Sequence, residues 1–499
     1  MNPIRKLIGQ TAIYGLSTII ARTANYLILT PLYTYVFRNQ EEFGINTEIY
    51  AYISFLNIIL TYGMETAFFN FYSKKEEKQK IYSTALISLI ASSISFLIIG
   101  ILLAGSISKW MGYANQESFI VWMILIICSD ALMVIPFARL RSENKAGRFA
   151  LIKTLNILVN ILFNLFFIVW CKNQFAINPE SFFGKLYNPT IGIGYGFLSN
   201  VIANVFTLML LMKEFTGIKY FFDKAIWRQM IIYASPLIIV GFAGMINETF
   251  DRIILGKILP EAIARKEIGI YGACYKLSII MTIFIQAFRF AAEPFFFNNA
   301  TEKNSKSTNA QVTKYFVLFC SFIFLGTMMN ISWLKYFISE PYWAGLSVVP
   351  ILLIANLFLG VYYNLSIWYK LTEQTKFGAY ITISGAVITL VVNFVFIPSY
   401  SYVASAWATF FSYGIMMITS YILGQKHYPI KYNIKKMSFF FFIAVAFYLI
   451  SLLYKGRFPE NLNYIEPTIN NLFLLIFGWL IYKIEISKLI QKKSDERIS

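Results

Sequence analysis

The residues that could do chemistry in this chain are few, and they sit inside apolar runs where charge is costly. Arg22 lies near the middle of the first such run, with Thr11, Thr18 and Asn25 at spacings of 7, 4 and 3 that share one helical face. Asn57, Thr61 and Glu65 follow at 4 and 4 in the next run, again on one face. Asn247, Glu248, Asp251 and Arg252 cluster in a later run. Lys276 comes next, and then Gln286, Arg289 and Glu293 at spacings of 3 and 4. Lys153, Asn156, Asn160 and Asn164 form a further seam, with Asp130 as a candidate partner for Lys153. An ionisable group near mid-bilayer costs at least ~2.5–3.5 kcal/mol on the insertion scale. Each of these groups therefore needs a reason to be there.

Two readings are open for them. Glu65 with Arg22, and Glu293 with Arg289, could be ion pairs that hold helices together, while Arg252 and Lys153, close to span ends, could snorkel to the interface. Alternatively, Arg22 and Arg289 await an anion, whose phosphate geometry a guanidinium fork suits. The asparagine seam reads as interhelical glue.

Other chemistries are excluded. His427 is the only histidine, expected in a solvated loop, and no GxxxxGK[ST] phosphate cradle occurs. Cys128, Cys171, Cys274 and Cys320 form no CxxC pair and lie in or beside apolar runs, where core packing is their role. No catalytic residue, metal or cofactor is assigned, and the chain lacks an ATPase of its own.

The elements that must carry these residues are membrane spans. The 499 residues are 58% hydrophobic and only 14% charged, with a mean hydropathy of +0.60. A soluble domain would carry about 25% charged residues. A span needs about 20 apolar residues to cross a ~30 Å core. Fourteen segments qualify: 11–37, 47–72, 81–104, 118–138, 150–171, 190–212, 230–256, 268–292, 312–333, 345–368, 378–397, 403–424, 438–454 and 468–482. The first is too long for the apolar core of a removable signal peptide. The net charge of +18 does not call for nucleic acid, because the segments on one side hold 28 Lys/Arg against 10 on the other. That bias places both termini in the cytoplasm. The longest outer loop, 172–189, leaves no room for a soluble catalytic domain.

An internal duplication organises the spans. Gln10–Tyr14 matches Gln229–Tyr233, Glu42-Phe43-Gly44 matches Glu267-Ile268-Gly269, and Asn164–Ile168 matches Asn393–Ile397. The matches always fall six spans apart. Six is even, so the expected fold is all-α with two parallel six-helix lobes, residues 1–222 and 223–425. Two further helices and a basic tail occupy 426–499. Spans 1, 2, 7 and 8 hold most of the intramembrane charge, as a central hydrophilic cavity would require.

Several of these stretches resemble the polysaccharide-flippase branch of the multidrug/oligosaccharidyl-lipid/polysaccharide exporter superfamily. They are Arg22–Asn25 with Pro31-Leu32-Tyr33, Gly63–Phe69, Pro136–Arg141, Asn247-Glu248 with Asp251-Arg252, and Gln286–Phe295. The resemblance covers about residues 5–425. It implies two bundles arranged as a V with alternating access, in a bacterial inner membrane. The implied substrate is an undecaprenyl-pyrophosphate-linked oligosaccharide for O-antigen or capsule synthesis, flipped from the cytoplasmic to the periplasmic leaflet. The cavity residues implied are Arg22, Asn25, Glu65, Asn247, Glu248, Asp251, Lys276, Gln286, Arg289 and Glu293. Further partners are membrane lipids, a coupling cation (H+ or Na+) and other polysaccharide-assembly proteins. Fourteen spans, where many O-unit flippases have twelve, leave a lipid II flippase as an alternative. A multidrug/cation antiporter using Glu65, Asp130 and Glu293, and a membrane-embedded polymerase or ligase, are the others.

Overall fold

A computed structural model describes residues 19–20 and 23–487, apart from 75–76, 114–115, 217–218, 220, 299–303, 458 and 460–463. Side chains at 291, 293, 294, 298 and 486 also lie outside the described set. The described chain is almost wholly helical, the only secondary structure besides closed barrels that satisfies every backbone group inside a bilayer. Its principal helices are α1 (residues 23–36), α2 (Gln40–Thr61), α3 (Met64–Lys74), α4 (Lys78–Leu102), α5 (Glu117–Ser142), α6 (Ala146–Leu165), α7 (Gly194–Leu210) and α8 (Lys224–Glu248). There follow α9 (Phe250–Ile258), α10 (Glu261–Asn298), α11 (Ser305–Met329), α12 (Val348–Leu365), α13 (Ile367–Leu371), α14 (Lys376–His427), α15 (Ile434–Tyr454) and α16 (Ile465–Ile481).

Among the described residues 11 helices, against the fourteen spans expected, are long and apolar enough to cross a membrane. Three segments account for the difference. Residues 11–37 are described only in part, α7 has only 17 residues, and α14 runs through two expected spans as one 52-residue helix. Within α14 the backbone kinks at Ser401 (φ 49, ψ −138), three residues after Pro398, which has no N–H for the helical ladder.

Side chains set several helix starts. Asn39 Oδ1 accepts from Glu41 N at 3.1 Å before α2, and Asp223 Oδ1 accepts from Ala225 N and Ile226 N at 2.8 and 2.9 Å before α8. Left-handed residues set one break: Tyr62 (φ 33) and Gly63 (φ 69) separate α2 from α3. The face expected to align Asn57, Thr61 and Glu65 is therefore interrupted, and Glu65 starts a new helix. His427, expected in a loop, closes the last turn of α14 and stacks on Trp368 at 5.6 Å. The four cysteines are buried and form no disulfide, as expected of packing residues.

The chain divides into two compact units. One comprises residues 1–276 and 382–408; a buried cluster in it joins Met64, Phe68, Tyr82, Leu86, Ile135 and Met230 from α3, α4, α5 and α8. The other comprises 277–381 and 409–499 and is packed around Tyr362, Trp368, Tyr369, Tyr413 and Met416. In the second unit α15 and α16 pack on α11. Glu485, just beyond α16, is buried and takes ion pairs from Lys314 of α11 and Lys436 of α15.

Candidate functional site

In the first unit the expected cavity residues divide into satisfied and unsatisfied groups. Helix α8 ends at Glu248 because Thr249 (φ −136) leaves the helical region, and α9 restarts at Phe250. Around this break Asn247 is buried, donates to the Thr382 carbonyl at 3.2 Å and accepts from Thr389 Oγ1 at 3.0 Å. Asp251 receives the Arg252 guanidinium at 2.8 Å and the Tyr271 hydroxyl at 2.8 Å. Arg252 also binds the Glu248 carbonyl oxygen and lies over the Tyr271 and Tyr275 rings at 5.3 and 4.4 Å. Charge, hydrogen bonds and aromatic faces thus close around one another, so Asp251–Arg252 is a structural pair. The Glu248 side chain is exposed.

Asn25 and Lys276 differ. The Tyr26 hydroxyl donates to the Lys276 carbonyl at 2.8 Å, tying α1 to α10. On either side of that bond, Asn25 Oδ1 is buried without a hydrogen-bond partner, and no acceptor for Lys276 Nζ occurs among the described residues. Arg22 lies outside the described residues. Glu65 pairs with Arg141, whose guanidinium rests on the Phe69 ring at 4.7 Å.

The asparagine seam acts as glue, as its sequence suggests. Asn156 donates to Asn204 and Thr207 at 3.2 and 2.8 Å, and Asn164 binds Asn160 and the Tyr33 hydroxyl at 2.7 and 2.6 Å. Asp130 accepts from Asn204 Nδ2 at 2.9 Å, and Lys153 Nζ sits over the Phe137 ring at 4.1 Å.

In the second unit, Arg289 lies over the Tyr363 ring at 4.7 Å and opens into a pocket formed by α10, α11, α12 and α13. Its lining mixes Arg289, Lys370, Asn364 and Tyr363 with Ile285, Phe288 and Phe316. No described carboxylate lines it. Gly360 lets α12 approach closely there, since a Cβ would fall 2.5 Å from Phe316 and 3.0 Å from Ile285. Gln286 is exposed, and the Glu293 side chain lies outside the described set.

Sequence reasoning missed four residues of note. Glu48 is buried and accepts from the Tyr113 hydroxyl at 2.6 Å; an acid at the second position of the 47–72 run was a legible signal. Lys370 stands where a span gives way to a loop, so topology alone explained it. Tyr363 and Asn364 carry no charge, and only contact reveals them.

Residues 7–300 match the family model described as polysaccharide biosynthesis protein. Among solved structures, the lipid II flippase MurJ in its inward closed conformation matches with a TM-score of 0.74 at 16% identity, covering 95% of this chain and 99% of that one. An inward-facing multidrug resistance MATE transporter matches at 0.59 and 12%, covering 83% and 94%. The MATE multidrug transporter DinF-BH matches at 0.57 and 15%, covering 85% and 96%. No curated protein matches the sequence. At such identities the structures establish the fold, which is that of these membrane transporters. The family match spans more than half of the chain, and the protein belongs to the polysaccharide biosynthesis protein family.

Proposed function

We propose that the protein flips an undecaprenyl-pyrophosphate-linked oligosaccharide from the cytoplasmic to the periplasmic leaflet of the bacterial inner membrane, for O-antigen or capsule synthesis. The observation that carries this reading is Arg289, held on an aromatic ring where it lines a pocket together with a second cation, Lys370. A guanidinium so placed suits a phosphate oxygen pair. Arg22, Asn25 and Lys276 extend the same chemistry, offering cations and an unmet amide to a charged, hydroxyl-rich headgroup. Movement follows alternating access by two six-helix lobes, 1–222 and 223–425, while the prenyl tail stays in lipid and both termini stay in the cytoplasm. A coupling cation and other assembly proteins complete the proposed partners. An antiporter would need its acids available to a cation. Here Glu65 is engaged by Arg141 and Asp130 by Asn204, which favours the flippase.

The test is glycan delivery to the cell surface, measured with protein level in the membrane. Arg22→Ala with Arg289→Ala abolishes delivery at normal protein level, and Arg→Lys at each position restores part of it, because an ammonium keeps the charge and loses the bidentate fork. Normal delivery by the double alanine variant would overturn the reading.

A further inference from the structure

We propose that the connection 178–187 is seated in lipid, its aromatic tip resting in the interface of the leaflet beside it, which is the outer leaflet under the topology proposed above. The partner is the lipid surface itself, with acyl chains for the rings and headgroups for the charged edge. Helix α6 supplies the starting point. Leu151, Leu158, Leu162 and Leu165 are exposed along one stripe of it, at spacings of 7, 4 and 3, as on a helix face turned to lipid. A π-helical turn over Phe166–Cys171 then takes an extra residue, so Trp170, exposed and five positions beyond Leu165, prolongs the stripe. Tryptophan at the end of a span marks the membrane–water boundary, and Lys172 follows it.

From there the chain leaves the boundary and comes back to it. A short helix, Lys172–Ile177, carries it roughly 15 Å past Phe166 at ~1.5 Å per residue. The connection then turns back, because the Phe183 ring lies 6.2 Å from Phe166 and 6.2 Å from Trp170. Phe183 is therefore at the depth of the last turns of the span, and Phe182 beside it is 74% exposed. Leu186 is exposed in the same connection. A slack backbone does not explain this display. Ser181 Oγ donates to the Asn178 carbonyl at 2.8 Å and accepts from Gly184 N at 3.0 Å. The Tyr195 hydroxyl donates to the Leu186 carbonyl at 2.9 Å and accepts from Asn188 N at 2.7 Å, and the Tyr187 ring stacks on that of Tyr195 at 5.3 Å. A chain fixed at so many points that still holds apolar groups outward has a partner for them. Glu180 and Lys185 pair at 3.0 Å with both side chains exposed and supply a polar edge. Apolar tip, aromatic flank and charged edge within ten residues form an interfacial element. Continuity with the leucine stripe through Trp170 selects lipid over a protein partner.

The test places a nitroxide on single introduced cysteines in the full chain in lipid nanodiscs, the four native cysteines being buried. It compares collisions with oxygen, which concentrates in lipid, and with a nickel chelate, which stays in water. Phe182→Cys gives an oxygen-to-nickel ratio several-fold above that of Glu180→Cys and approaching that of Leu162→Cys on α6. Leu186→Cys behaves like Phe182→Cys and carries the test if the latter does not accumulate. Wild type taken through the same labelling gives the background. A ratio at position 182 equal to that at 180 would put the connection in water and overturn the proposal. Protection of the same label from both reagents would mean contact with protein, a second copy included, and would overturn it equally. None of these outcomes depends on what is transported, so this proposal and the flippase reading fail separately.

Discussion

Gly44 and Gly269 make reciprocal contacts: a Cβ on Gly44 would fall 1.8 Å from the Arg265 carbonyl oxygen, and one on Gly269 would fall 1.9 Å from the Gln40 carbonyl oxygen. Each glycine of α2 or α10 meets the residue four positions before the other glycine, so the crossing reads the same from either helix. The exchange extends the Glu42-Phe43-Gly44 and Glu267-Ile268-Gly269 repeat into space. Glu42 accepts from Ile193 N at 2.9 Å just before α7, and Glu267 accepts from Ser401 Oγ at 2.6 Å at the kink of α14. Gly192 (φ 49) and Ser401 (φ 49) both take a positive φ beside these carboxylates. Asn164 and Asn393, also paired by the repeat, each donate to the carbonyl four residues earlier and accept a hydroxyl, Asn164 from Tyr33 of α1 and Asn393 from Ser405 beyond the kink of α14.

The crossing sets the first prediction. Gly44→Ala and Gly269→Ala each force backbone apart and lower stability by about 1–3 kcal/mol or more, as overpacking does. The two effects are similar in size because the contacts are. Gly147→Ala, where nothing lies within 4 Å, does not destabilise and serves as the control. Thermal unfolding in detergent measures all three, and a neutral Gly269→Ala would contradict the close approach.

Asp251 and Lys276, both expected in the cavity, separate by mechanism. Asp251→Ala leaves Arg252 buried without its carboxylate and costs about 3–5 kcal/mol, read as loss of folded protein. Lys276→Gln removes a charge without a described acceptor, so the protein accumulates normally while surface glycan falls. Comparing membrane protein level with glycan delivery decides the matter; full delivery by Lys276→Gln would remove it from the site.

Glu485 holds two lysines from two helices. Glu485→Gln leaves both ammoniums facing a neutral group and destabilises by about 3–5 kcal/mol. Lys436→Met, whose side chain is 39% exposed, costs much less. Guanidinium or urea denaturation in mild detergent ranks the variants, and an equal loss for both would contradict the shared clamp.

Acid acts at the turn after α5. Burial alone would raise the Glu143 pKa, but hydrogen bonds and ion pairs from Lys145 at 2.6 Å and Arg139 at 2.7 Å hold it below the usual carboxylate value. A depressed folded-state pKa contributes stability that is fully present above the ordinary pKa and is lost as pH falls through the folded one. Glu143→Gln is therefore less stable than wild type at pH 7, and the two converge in acid. Unfolding midpoints from pH 7 to pH 3 report this, and a constant gap would refute it.

By itself the sequence determined the class of the molecule. Long apolar runs have one outcome in lipid, because an unpaired backbone amide there costs several kcal/mol and a helix satisfies them all internally. The repeat was legible for a related reason: Glu42, Gly44 and Asn164 serve backbone contacts that tolerate few residue types, so their counterparts kept those types at matching positions. Tertiary structure alone decided which charges are spoken for. Spacing put Glu65 on the face of Asn57 and Thr61, but two left-handed residues turn the chain between them and bring it to Arg141, 76 positions away. Likewise nothing in their order joins Arg289 to Tyr363, Asn364 and Lys370. Ion pairs and pockets depend on distances of a few ångströms between helices, and those follow from packing across the whole unit.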